Sequence, residues 1–253
     1  PPKVCLVVRR DPDGIRRYVH LATGNYNIVS SRIYTDISYF TADPVVGNDV
    51  SDLFNALTGY SRKNAYDKLL VAPGTLRQEI LDRINREIHY HQALGDGYIA
   101  SKMNALVDKP CIQAVYRVSQ AGVKIDLQIR GICCLRPGVP GLSETIKVIS
   151  VVGRFLEHAR IYYFRNGGQE EVFVGSADLM PRNLDQRVEI LFPIAHAPWR
   201  ELIIQEILGV GMRDNVQARV LRADGTYQRL RPSEGEPAVN SQEWFMARWK
   251  SRY

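Results

Sequence analysis

The sequence predicts an α/β protein: a mixed sheet flanked by helices, preceded by the tail of a similar domain and followed by a small C-terminal hairpin. Three observations carry that prediction. Residues 98–129 read as strand, helix and strand, a connection that favours parallel pairing. A unit of basic residue, hairpin and small-residue loop occurs twice, once from Lys3 and again from Arg160, and such a duplication is far rarer by chance than one instance. Near the C-terminus, two short apolar runs flank Asp224-Gly225, the pattern of a hairpin.

Composition sets the scale. The chain has 253 residues, 45% hydrophobic and 24% charged, enough for one large or two modest domains with a real core. It shows no apolar run of transmembrane length and no signal peptide, so a cytoplasmic protein is expected, with peripheral attachment to a membrane as the remaining option. Cys5, Cys111, Cys133 and Cys134 have no metal or redox spacing, and reduced thiols are expected. The net charge of +6 suits a polyanionic partner such as nucleic acid, anionic lipid or polyphosphate without choosing among them.

In chain order, Lys3 to Val8 is a strand already in progress, which suggests a chain cut from something longer. A turn at Asp11-Pro12-Asp13-Gly14 and a strand from Arg16 to Leu21 follow, ending on Ala22-Thr23-Gly24-Asn25-Tyr26-Asn27. A short helix from about Asp49 to Leu57 and a polar link, Thr58 to Asp67, lead into the apolar run Leu69 to Ala72. The domain boundary is placed there, giving units 1–68 and 69–214 and a C-terminal hairpin and tail, 215–253. Thr75-Leu76-Arg77-Gln78 has capping-box spacing, and Leu76, Ile80, Ile84 and Ile88 share one helical face. Tyr98 to Lys102 reads as a strand, Asp108 and Pro110 open a helix that Gly122 closes, and Val123 to Ile129 returns as a strand. Ile146 to Val152 fits strand or helix, with strand preferred.

The stretch Arg154 to Arg187 holds the densest chemistry. Period-2 geometry puts His158 and Arg160 on one face of a strand, the run turns back at Asn166-Gly167-Gly168, and it ends on Gly175-Ser176-Ala177-Asp178. Backbone N–H groups and the Ser176 hydroxyl can approach an anion in such a small-residue loop, and Arg182 and Arg187 follow. The first copy matches it: Lys3 stands for Arg160, Asn25 for Asp178 and Arg32 for Arg182. Asp178 departs from the symmetry and is placed to orient an arginine. A strand with one His and one Arg is by itself an ordinary surface edge; the duplication argues for a phosphate site shared by two halves.

Paired basic units followed by small-residue loops resemble the phospholipase D superfamily. The stretches RRYVHLATGNYN, RIYTDISYFTADP, LFNALTGYSR, NALVDKPCIQAVYRVSQAGVKIDLQIRGICCLRPG, VVGRFLEHARIYYF and GSADLMPRNLDQRVEI are similar to bacterial polyphosphate kinases of the first, large type. The likeness covers the chain to about Phe192 and implies the two phospholipase D-like C-terminal domains of such enzymes, the first represented only by its tail. It further implies reversible transfer of the ATP terminal phosphoryl group, with Mg2+, to a histidine and then to inorganic polyphosphate. The histidine belongs two residues before Lys3, where this chain has Pro1, so the chain alone is expected to be inactive. The metal-binding positions fall upstream of Pro1, and a homo-oligomer is implied for the longer protein.

By the same resemblance, Tyr34, Arg130 and His158 contact nucleotide, with His158 also catalytic as a general acid or hydrogen-bond donor. Lys3, Arg130, Arg160 and Arg182 would ring the phosphates, with Asn25, Asn27 and Ser176 as uncharged donors along the phosphate path. Arg130 ends an apolar run, and ligands of open α/β sheets bind at the carboxyl ends of strands. Two other functions fit less well. A phosphodiesterase would need both His-x-Lys units, against Pro1 and Arg160, whereas a non-catalytic polyanion-binding module would use only the charge. The tail reads as a helix from Trp199 to Leu208, a hairpin over Val216 to Leu230, an extended link Arg231 to Val239, and Trp244, Phe245 and Trp249. No basic groove interleaves those aromatics, so a docking helix is expected and no nucleic-acid platform.

Overall fold

The computed structural model describes residues 2–60 and 65–250. Strands β1 (Lys3–Asp11) and β2 (Gly14–Ala22) form the first hairpin, with Lys3 opposite Ala22. A two-residue strand, β3 (Tyr34–Thr35), comes next, and then β4 (Ser38–Thr41), which joins β1 and β2 in a three-stranded antiparallel sheet. Helix α1 (Pro44–Leu57) begins five residues before the expected start at Asp49. Asp43 explains the difference: its carboxylate accepts from Val45 N at 2.9 Å and Val46 N at 3.0 Å, and Pro44 fills a first-turn position that needs no N–H. Part of the expected polar link, residues 61–64, lies outside the described residues.

The rest builds one large sheet. Its elements are β5 (Leu70–Ala72), α2 (Leu76–Leu94), β6 (Tyr98–Met103), α3 (Lys109–Gln120), β7 (Lys124–Ile129) and β8 (Ile146–Val151), then β9 (Leu156–Glu157), β10 (Arg160–Phe164), β11 (Glu171–Gly175) and β12 (Glu189–Pro193). Among these, β6, β7 and β8 pair in parallel and β10, β11, β12 and β5 extend the sheet antiparallel, while β9 pairs with β3 outside it. The β6–α3–β7 unit and the strand at Ile146 are as the sequence predicts. Asp108 caps α3, accepting from Cys111 N at 3.2 Å. The capping box at Thr75 does not form, because Thr75 already has helical dihedrals and its side chain caps nothing. Asn166, Gly167 and Gly168 turn β10 into β11 with φ of 51°, 60° and 90°, the left-handed region that favours Asn and Gly.

The C-terminal hairpin joins the large sheet. Helix α4 (Ala197–Leu202) passes through a π-helical stretch (Ile203–Leu208) into α5 (Gly209–Met212), after which β13 (Ala218–Leu221) pairs with β8 and β14 (Tyr227–Arg229) with β13. The large sheet thereby reaches nine strands in the order β14-β13-β8-β7-β6-β10-β11-β12-β5. Asp214 fixes this arrangement: one carboxylate oxygen accepts from Val216, Gln217 and Ala218 N and the other from Ser241 N and Oγ, all at 2.7–3.0 Å. Ser241 opens the last helix, α6 (Ser241–Lys250).

Both faces of the sheet are covered. Leu76, Ile80 and Ile84 of α2 and Val115 and Val118 of α3 pack on one face with Leu127, Tyr162 and Phe164. On the other, Val19, Leu21, Val46, Val50 and Leu53 from the first 57 residues pack against Ala100, Ile161, Val174 and Phe192. Asp49 joins the two halves. It is fully buried and accepts from the N–H groups of Asp67, Lys68 and Leu69 at 3.0, 2.7 and 3.0 Å. Asp49→Ala removes the acceptor of three backbone N–H groups, of which that of Leu69 is buried, and is expected to cost about 2–3 kcal/mol, read from urea unfolding; a loss below about 1 kcal/mol would show that the turn is not held by this carboxylate.

Candidate functional site

The two halves meet along the shortest strand-to-strand pairing among the described residues. Strands β3 and β9 run parallel, Tyr34 beside Leu156 and Thr35 beside Glu157, with Leu156 N donating to Ile33 O at 2.8 Å and His158 N to Thr35 O at 3.2 Å. That register sets the Tyr34 and His158 rings 5.0 Å apart and brings Asp36 Oδ1 to 2.8 Å from His158 Nδ1. Thr23 from the small-residue loop donates to the same Asp36 oxygen at 2.6 Å. A carboxylate at Nδ1 favours the tautomer protonated there, which leaves Nε2 as the ring's other reacting position.

His158 and Arg160 do not share a strand face. Strand β9 ends at Glu157 and β10 begins at Arg160, so no alternation spans the interval. The Arg160 guanidinium turns inward, donating to Asp178 through Nε at 3.2 Å and Nη2 at 2.9 Å, and through Nη1 to the His158 carbonyl at 2.6 Å. Both partners of the ion pair are buried, 8% and 3% exposed. Asp178 also accepts from Asn104 N at 2.6 Å and Ala105 N at 3.2 Å. Burial works against the Arg160 charge, and Asp178 outweighs it, so the guanidinium pKa is raised. The expected orienting role of Asp178 is therefore present, and Arg160 is a buried, largely satisfied cation whose charge reaches the site without an open guanidinium face.

Ser176 is likewise committed to the fold. It is 4% exposed, its N–H donates to Ile190 O at 3.0 Å, and its Oγ accepts from Ile190 N at 3.3 Å. Gly175 permits that approach, since a Cβ there would lie 2.0 Å from Ile190 O. Asn27 uses its side-chain oxygen to accept from Val29 and Ser30 N, both at 3.0 Å, in the turn that leads into Ser30–Arg32. Both side chains are engaged through their oxygens as acceptors, and Asn27 remains exposed. Asn25 stays exposed beside it. Arg182, which opens the helical turn Arg182–Gln186 after β11, is exposed, and its side chain makes no hydrogen bond or ion pair among the described residues.

Arg130 and Lys3 converge on this seam. Arg130 is half-buried at the end of β7, with Nε donating to Glu157 O at 3.0 Å. Burial lowers its pKa and the neighbouring Arg160 lowers it further. Lys3 behaves alike: burial and then Arg160 lower its pKa against the pull of Glu189, Asp36 and Asp178. These cations stand close enough to oppose one another, a condition that a bound anion relieves.

Three supporting residues escaped sequence reasoning. Asp36 orients His158, and Glu157 accepts from Thr35 Oγ1 at 3.1 Å and pairs with Lys102, which is 8% exposed. Burial pushes the Glu157 carboxyl up, yet Lys102 and the donors around it hold its pKa below the ordinary value. The one available signal was position, since Asp36 is two residues from Tyr34 and Glu157 precedes His158. Pro1, where the resemblance puts the phosphoryl-accepting histidine, lies outside the described residues. Among the described residues, no three His, Cys, Asp or Glu side chains gather as a possible metal site.

The family profile described as Polyphosphate kinase C-terminal domain 1 matches residues 2–63, and that described as Polyphosphate kinase C-terminal domain 2 matches residues 69–242. The chain is 54% identical over 244 residues to a polyphosphate kinase of Prosthecochloris aestuarii, covering 96% of this chain and 34% of that one. It is 52% identical over 246 residues to polyphosphate kinase 1 of Chlorobaculum tepidum, covering 97% of this chain and 35% of that one. The crystal structure of polyphosphate kinase from Porphyromonas gingivalis superposes with a TM-score of 0.92 at 38% identity, over 99% of this chain and 39% of that one. The chain thus spans about a third of the length of the curated relatives it matches.

Two outcomes follow from the buried charges. Arg160→Met leaves Asp178 buried without its counter-charge and is expected to destabilise the fold by about 3–5 kcal/mol, measured by chemical unfolding; a change within about 0.5 kcal/mol would contradict the pairing. Glu157, with its folded pKa depressed, contributes stability that is fully present above its ordinary value of 4.5 and is lost as pH falls through the depressed one. Glu157→Gln is expected to flatten the decline of the thermal midpoint below that pH, whereas an unchanged acid limb would remove Glu157 from the account.

Proposed function

The chain belongs to the polyphosphate kinase family, of which it carries C-terminal domains 1 and 2, and from that premise we propose that it forms the nucleotide and phosphate site for reversible transfer of the ATP terminal phosphoryl group to inorganic polyphosphate. The observation that carries the proposal is the gathering of Lys3, Arg130 and Arg160 beside His158 at the seam of the two halves. Phosphoryl transfer through a loose transition state asks little covalent chemistry of the protein beyond a nucleophile; it asks for position and neutralised charge.

Each side chain then has a task. Arg130, anchored through Nε alone, keeps its two terminal nitrogens for phosphate oxygens, the fork geometry in which arginine holds phosphate best. Arg160 and Lys3 add positive potential from a partly desolvated surround, where charge acts more strongly than in water. His158, fixed at Nδ1 by Asp36, presents Nε2 to the transferring group, as hydrogen-bond donor or acid in its imidazolium form. Tyr34, in ring contact with His158, bounds the nucleotide. A phosphohistidine intermediate requires a second histidine at a position this chain fills with Pro1, so the chain alone is proposed to bind and not to turn over. Magnesium, as the usual companion of a nucleoside triphosphate, would neutralise phosphate charge, and no step here depends on it. No helix among the described residues is long and apolar enough to cross a membrane.

Isothermal titration with long-chain polyphosphate, and separately with ATP and magnesium, tests the reading. Arg130→Ala and His158→Ala are each expected to weaken binding by about tenfold or more, equivalent to about 1.4 kcal/mol. Binding that ignores both substitutions and collapses with added salt would mean a diffuse basic surface, which is the polyanion-module reading and would displace this one.

A further inference from the structure

The first turn of α6 grips the segment that carries the site. Gln242 is 4% exposed, and its carboxamide pairs with the Phe155 backbone as a strand residue would: Nε2 donates to Phe155 O at 2.9 Å and Oε1 accepts from Phe155 N at 2.9 Å. The same Nε2 donates to Glu157 Oε1 at 2.7 Å. Both amide protons and the acceptor thereby have partners. Gly153 leaves room for the group, because a Cβ there would meet Gln242 Oε1 at 2.7 Å. The neighbouring Ser241 is buried and tied through N and Oγ to Asp214 at 2.8 and 2.7 Å, which anchors the turn to the body of the fold.

Strand β9 needs that support. It is two residues long and pairs on one edge only, with the equally short β3; an isolated pair of that size is not stable by itself. The Gln242 carboxamide binds the residue at its entry, Phe155, and so stands in for a missing neighbour strand. What hangs on β9 is the site: the Glu157 carbonyl receives Arg130 Nε at 3.0 Å, and His158 follows directly.

We infer that Gln242 is a positioning residue for the phosphate site, setting Arg130 through the Glu157 carbonyl by clamping Phe155 and Glu157 from the C-terminal helix. The inference rests on the phosphate-binding role of Arg130 proposed above. It gives the C-terminal segment a task in ligand binding beyond covering apolar surface.

The test is a double-substitution cycle on the same chain, read by titration with long-chain polyphosphate and with ATP and magnesium. Gln242→Met keeps the size and removes the hydrogen bonds; Gly153→Ala displaces the carboxamide without removing it. Each is expected to weaken both ligands by about tenfold while the chain stays folded, and Arg130→Ala is expected to cost at least about threefold less in either background than in the parent, the non-additivity of coupled residues. A merely structural residue would give losses that multiply. Unchanged affinity in folded variants, or fully multiplicative losses, overturns the inference while leaving the Arg130 reading intact. Unfolding of both variants assigns Gln242 to folding and also overturns it. Parent binding that Arg130→Ala does not weaken overturns the functional reading together with this one.

Discussion

The parallel contact of β3 with β9 and the Asp36–His158 hydrogen bond across it are the constraint on which the site depends. Every residue assigned to nucleotide contact sits on one side or other of that seam: Tyr34 on β3, His158 just past β9, and Arg130 fastened to the β9 carbonyl. Two residues of strand pairing contribute little energy. Their placement is set instead by what flanks them. The apolar packing of the first 57 residues on the large sheet brings β3 to β9, and the Asp49 clamp fixes the connection between them.

Around the seam the chain accepts the cost of buried charge. Arg160 with Asp178 and Lys102 with Glu157 lie inside, where replacing an ion pair by apolar groups is often neutral or stabilising. A pure stability account would not choose them. Their geometry gives a reason: Asp178 ties β10 to Asn104 and Ala105 after β6, and Glu157 gathers β3, β6 and the C-terminal helix. Buried, directional contacts hold loop ends from several strands at fixed distances, as a site needs when its catalysis comes from positioning.

Much of the fold was legible because period and punctuation are local. The β6–α3–β7 unit announced itself through Asp108, Pro110 and Gly122, and the β10–β11 turn through Asn166-Gly167-Gly168. Elements decided by tertiary contact were less so. Helix α1 was drawn short because Asp43 works as a cap only once Pro44 begins the helix, and the hairpin over β13 and β14 looked independent because its pairing with β8 is remote in sequence. In the site, residue types were readable and orientations were not. Period-2 alternation placed His158 beside Arg160, but a break between β9 and β10 points one at Asp36 and the other at Asp178. Ser176 and Asn27 have the hydroxyl and amide that suit donors to a ligand, and what sequence does not show is that their oxygens also accept from the backbone. Asp36 and Glu157 carried no signal of their own, since a carboxylate's role depends on which cation or imidazole folding brings to it.

What remains unsatisfied is as informative as what is paired. Arg160 has its carboxylate, and its pKa is raised; Arg130 and Lys3 lie near the same Asp178, and theirs are lowered, by burial first and by Arg160 next. Asp178 therefore serves Arg160 well, whereas Glu189, Asp36 and Asp178 do not offset the burial of Lys3. Such an arrangement costs folding energy when empty, because lowering a lysine pKa means that the folded state holds the proton less tightly than the unfolded chain does. An anion at the seam reverses the sign: it raises the pKa of Lys3 and Arg130 toward or above their ordinary values and recovers what folding gave up. Under the function proposed above, that cost would be recovered on binding phosphate, with the Asp36, Glu157 and Asp178 carboxylates limiting where the anion could sit.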